Sequence, residues 1–103
     1  MLFYILLAAV LIFAFGADVL DVVESEKAYA KGYVESFDWL VGKKPTAIAL
    51  YLRDGMLIAA SAAPAIIFYH IGNHPLALGA LVGPVAAGAR HIQGYLAGRK
   101  LLK

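Results

Sequence analysis

The chain has 103 residues, of which 62% are apolar and only 16% charged, with mean hydropathy +0.76. A soluble domain of this length carries about 25% charged residues, and so little polar surface would leave large apolar patches in water. The net charge of +2 comes from basic residues that flank apolar runs and do not build a basic face interleaved with aromatics, so nucleic-acid binding is excluded as a reading. There is no cysteine, which rules out a disulfide framework, a thiolate metal site and a cysteine nucleophile. The composition predicts an all-α integral membrane protein: a single membrane domain over residues 1–103, whose immediate partner is the lipid bilayer.

The first apolar run covers residues 1–22 and opens "MLFYILLAAVLIFAFGA". It is long enough to span. It lacks the positive n-region and small-residue cleavage site of a signal peptide, so a retained helix is expected. A polar stretch follows. Within it "GYVESFDWLVG" spaces Tyr33, Phe37 and Leu40 at helical intervals. An amphipathic interfacial helix is expected over about 32–42, with Tyr33, Phe37 and Trp39 anchoring it at headgroup level. An extension of the first helix through Glu24 to Lys31 is an equal alternative.

The second run covers 45–71, with Pro45 in its first turn and a kink expected at Pro64. "IGNHP" then makes a tight turn, Gly72 and Asn73 tolerating left-handed backbone and Pro75 opening the next helix. The third run covers 75–98. Lys27, Lys31, Lys43 and Lys44 lie between runs one and two; Arg99, Lys100 and Lys103 follow run three; the turn between runs two and three has neither Lys nor Arg. Three spans bring both basic regions to one side. The positive-inside rule makes that side cytoplasmic, with the N-terminus outside.

Four charges interrupt these runs: Asp18, Arg53, Asp54 and Arg90. At ~1.5 Å per residue they fall in one layer, towards the cytoplasmic edge of a hydrocarbon core ~30 Å thick. A lone charge there costs at least ~2.5–3.5 kcal/mol, so the two acids are expected to pair with the two arginines. Arg53 and Asp54 are adjacent, about 100° apart on a helix, and each is expected to look to a different neighbour. In run three, Gly79, Gly83, Ala87, Arg90, Gly94 and Gly98 recur every three or four residues. This small-residue face, with two GxxxG pairs, is expected to pack against another helix and to hold Arg90 inside.

No catalytic signature appears, and an enzyme is not expected. Asp18 and Asp21 share a face with Ser25 a turn further, but hard cations want six or more oxygens. Asp18 is therefore read as an ion-pair partner and Asp21 as a residue of the wet interface. His70 and His74 flank the outer turn without the third ligand that zinc needs, and His91 and Gln93 are read as interfacial hydrogen-bonders. Neither a metal nor a cofactor is expected. In size and topology alone, the plan of a hundred residues, three spans and a basic tail resembles small phage holins and small membrane-embedded virion or assembly subunits. The resulting expectation is a helix-packing structural or accessory subunit, a homo-oligomer or part of a larger membrane complex. A holin-like or channel-like pore and a small ion-coupled transporter are the alternatives.

Overall fold

The computed structural model describes residues 2–33 and 46–102, with side chains through residue 100. These residues are all-helical, without a strand: α1 is Leu2–Ala30, α2 Ala47–His70, α3 His74–Ala80 and α4 Val82–Leu102. The predicted interfacial segment at 32–42, including Phe37 and Trp39, lies outside the described residues apart from its first two positions, as does Pro45. Tyr33 is described, and is 41% exposed.

Both long helices end in the same way, for a reason written in the chain. After α1, Gly32 takes φ 100°, its N–H bonds to Tyr29 O, and the Tyr33 N–H reaches back to Ala28 O. After α2, Gly72 takes φ 87° and the Gly72 and Asn73 N–H groups bond to Tyr69 O and Phe68 O. These are Schellman caps, which favour glycine because a Cβ is penalised in left-handed backbone. Asn73 is not left-handed. It is the N-cap of α3, its side chain accepting from Leu76 N. Thr46 caps α2, with Oγ1 accepting from Ala49 N, so that helix starts at Ala47, two residues past the expected boundary.

α1 continues to Ala30, and Glu24–Ala30 belongs to the first helix. At ~1.5 Å per residue its 29 residues reach about 43 Å, more than the ~30 Å hydrocarbon core. α2 runs unbroken through Pro64. The third run is the one that departs from expectation, since it is divided at Leu81 into α3 and α4. Pro84 is the cause. It has no N–H for the carbonyl four residues back, and its ring would collide with that carbonyl, so the helix restarts at Val82 with Pro84 in its first turn, where proline is tolerated.

α1 and α2 are antiparallel, since Phe3 near the start of α1 stacks on Tyr69 near the end of α2, ring centroids 4.4 Å apart. α3 and α4 run back beside α1 in its own direction: Gly88 lies against Phe13, Gly94 against Asp21 and Gly98 against Glu24. The α1–α4 contact is the most extensive between helices. Phe3, Leu7, Ala62, Ala65, Ala77 and Leu81 form the core at one end. Along α1 the buried positions Phe3, Leu7, Ala14, Ala17–Asp18 and Val22 repeat at intervals of three, four or seven residues, one stripe of the helix. Asp18 therefore sits where a core apolar residue would sit.

α1 and α2 are each long and apolar enough to cross a membrane, yet only 28% and 33% of their apolar windows are buried. A core helix of a soluble protein would be mostly buried. Here Ile12 is 73%, Ile48 73% and Leu52 66% exposed, while Asp18 and Asp54 are 1% and 2% exposed. That distribution, apolar outside and ionisable inside, suits a lipid surrounding.

Candidate functional site: a buried acid–histidine cluster

One turn of each long helix carries the cluster. On α1, Asp18 and Asp21 are three residues apart and share a face. On α2, the inward stripe of Leu50, Ile58, Ala62 and Ala65 includes both Arg53 and Asp54, because positions three and four residues after Leu50 both border that stripe. On α4, His91 follows the buried positions Pro84 and Gly88 at three- and four-residue spacing.

Asp18, Asp54 and His91 each offer a ligand atom, and these atoms all lie within 4.8 Å of one another. His91 Nδ1 donates to Asp21 Oδ2 at 2.8 Å, and the same nitrogen is 3.7 Å from Asp18 Oδ1. A distance of 3.7 Å is too long for a hydrogen bond. Asp18 Oδ1 is buried and has no hydrogen-bond partner among the described residues. Arg53 Nε donates to Asp54 Oδ1 at 3.0 Å, both side chains being less than a tenth exposed. This corrects the expectation that these neighbours would look apart. The long arginine stem bends around the helix, and the guanidinium reaches the adjacent carboxylate through Nε.

Arg90 also departs from expectation. It is exposed, and no carboxylate of the described residues pairs with it. The packed face of α4 keeps Gly83, Gly94 and Gly98 of the small-residue face read in the sequence, but between them it runs through Gly88 and His91 in place of Ala87 and Arg90. Pro84 and Gly88 are buried and His91 is part-buried, whereas Arg90 is exposed on the wall of the cleft beside the cluster. Of the expected face, Gly83 has the Ser61 carbonyl 2.5 Å from where a Cβ would lie, Gly94 has Asp21 Oδ1 at 2.6 Å and Gly98 has Glu24 Cβ at 3.2 Å. Gly79 faces open space, and Ala87 is half-buried. Gly88, absent from the expected face, is the tightest of all, with the Phe13 ring 2.3 Å from a would-be Cβ. Gly88 was the signal that could have found this, since it lies three residues before His91 and shares a helix face with it.

A cleft of about 800 Å³ opens beside the cluster, its wall including Asp21, Arg53, Asp54, Arg90 and His91, with Tyr33 and Glu24 further along. Glu24 is paired with Lys27 at 3.3 Å. At the opposite end of the bundle the other two histidines are spoken for. His70 Nε2 meets the Tyr4 hydroxyl at 3.1 Å, and His74 stacks on Tyr69 at 4.9 Å. Aromatic groups with polar tips at one end of a helical bundle suit the headgroup level of a bilayer.

Comparison with known protein families, with curated proteins and with solved structures found no match to this chain.

Proposed function

We propose that the chain is a small multi-pass membrane protein that works as a helix-packing structural or accessory subunit of a homo-oligomer or larger membrane complex. In this reading α3 and α4 together make a third, broken pass beside α1. The N-terminus and the turn at Gly72–Pro75 are outside, and Gly32 and the basic C-terminal end of α4 are cytoplasmic. The lysines and arginines support that orientation.

The observation that carries the subunit role is Arg90. It lies one residue from His91, at the level of the buried cluster, yet is exposed and has no carboxylate partner among the described residues. An uncovered arginine at that depth costs at least ~2.5–3.5 kcal/mol in lipid. A carboxylate or carbonyl of a neighbouring subunit removes the cost. Gln93, also exposed on α4, adds hydrogen-bonding capacity to the same surface.

The test is the mass of the detergent-solubilised assembly, with Arg90→Leu beside it. The wild type is expected well above one 11.0 kDa chain, and Arg90→Leu is expected to insert normally and lose the assembly. A wild-type monomer, or an unchanged assembly in Arg90→Leu, overturns the proposal. Dye leakage from vesicles carrying the wild type would assign a pore in its place.

A further inference from the structure

The cluster of Asp18, Asp21, Asp54, Arg53 and His91 is rich in acid. Three carboxyl groups meet one buried guanidinium, so in its fully ionised form the cluster carries two formal negative charges in excess when the imidazole is neutral. In a low-dielectric interior such an excess is costly. The cluster also has an orphan acceptor: Asp18 Oδ1, on a side chain 2% exposed, has no hydrogen-bond partner among the described residues and faces His91 Nδ1 at 3.7 Å. Buried acceptors are satisfied as a rule, so an acceptor left open toward a histidine and a second acid points to a missing positive group.

We propose that Asp18, Asp54, His91 and Asp21 bind one divalent first-row transition cation of the zinc type. The donor set decides the class. Imidazole nitrogen with carboxylate oxygens suits zinc and its neighbours, whereas magnesium and calcium prefer six or more oxygens. A dication cancels the excess charge of the cluster. The geometry is within reach. The ligand atoms of Asp18, Asp54 and His91, spaced up to 4.8 Å apart, close to the ~3.3–3.4 Å separations of a tetrahedral site, with bonds of ~2.0–2.2 Å, by side-chain rotations, and Asp21 Oδ2 stands beside them at 2.8 Å from His91 Nδ1. His91 Nδ1 is the nitrogen turned toward the acids, so it is the ligand atom. Its proton moves to Nε2 by tautomerisation, and Asp21 Oδ2 exchanges a hydrogen bond for a metal bond.

Asp54 keeps Oδ2 for the ion while Oδ1 accepts from Arg53, an outer partner of the kind that orients metal-bound carboxylates. The route in is the cleft, whose wall includes Asp21, Asp54 and His91. The site is formed within one chain and does not depend on the subunit reading above.

The test uses the full chain, purified in detergent and stripped with chelating resin. Zinc alone is added, and bound metal is counted by elemental analysis and titration calorimetry. One zinc per chain is expected, with a higher thermal midpoint. Asp18→Asn and His91→Gln are expected to weaken zinc binding by more than the ~10–100-fold that loss of an outer partner costs, with helicity retained. His70→Gln, at the far end of the bundle, is expected to bind as the wild type does. Should Asp18→Asn fail to fold, Asp54→Asn and His91→Gln carry the same comparison. The proposal is overturned by less than stoichiometric zinc on the wild type, by binding that survives His91→Gln but is lost in His70→Gln, or by tighter binding of calcium or magnesium than of zinc.

Discussion

Gly79 and Gly83 form one GxxxG pair, and the structure gives its two members opposite fates. A Cβ at Gly83 would lie 2.5 Å from the Ser61 carbonyl oxygen and 3.4 Å from its carbon. That neighbour is backbone of α2, anchored further by Ser61 Oγ donating to Ile58 O at 2.6 Å, and no rotamer relieves the clash. Gly83→Ala must push α4 away from α2 by several tenths of an ångström, at a cost of ~1–3 kcal/mol for overpacking. Helix propensity returns about 0.5–1 kcal/mol of that. At Gly79 a Cβ meets nothing within 4 Å, so Gly79→Ala keeps only the propensity gain of about 0.5–1 kcal/mol. The two alanine variants should therefore differ by roughly 1–3 kcal/mol, Gly83→Ala being the weaker. Reversible unfolding in mixed micelles of increasing SDS fraction, followed by circular dichroism, measures this. Equal stabilities, or Gly79→Ala as the weaker, would refute the α2–α4 packing described above.

Three more outcomes follow from the same geometry. Arg53→Leu leaves Asp54, 2% exposed, without its Nε donor, and should cost ~3–5 kcal/mol. The double variant Arg53→Leu/Asp54→Leu should recover most of that loss in the same unfolding assay. Gly94→Ala places a methyl 2.6 Å from Asp21 Oδ1, so Asp21 must swing off His91, and the nitrogen shifts of the His91 ring should report the lost hydrogen bond while overall helicity holds. Because the chain has no cysteine, single cysteines report orientation cleanly. Asn73→Cys in intact cells should react with an impermeant maleimide, and Lys103→Cys only after lysis; the reverse labelling would invert the topology.

Much of the architecture is legible in residue order alone. Apolar runs of spanning length, glycines at 32 and 72 and the Asn73–Pro75 turn mark the two long helices and their ends, because capping chemistry is local and acts on neighbours in the chain. The break at Leu81 is also local, and Pro84 is the residue that announces it. The presence of ionisable groups inside apolar runs is equally plain from the sequence, since their cost in lipid does not depend on what they meet.

Which of those groups meet was a tertiary decision. Asp18, Arg53 and Asp54 lie in one cluster, as their depths along the helices suggest, but the fourth inward group is His91 and not Arg90. The two are adjacent in sequence, and one residue on a helix is 100° of direction, so an error of a single position exchanges a core residue for an exposed one. His91 is turned inward by Gly88 under the Phe13 ring and Gly94 against Asp21, contacts with a helix some seventy residues earlier in the chain. Likewise, Arg53 reaches Asp54 because the packed interior offers the guanidinium a neighbour's carboxylate in place of water, a choice that helix geometry by itself leaves open.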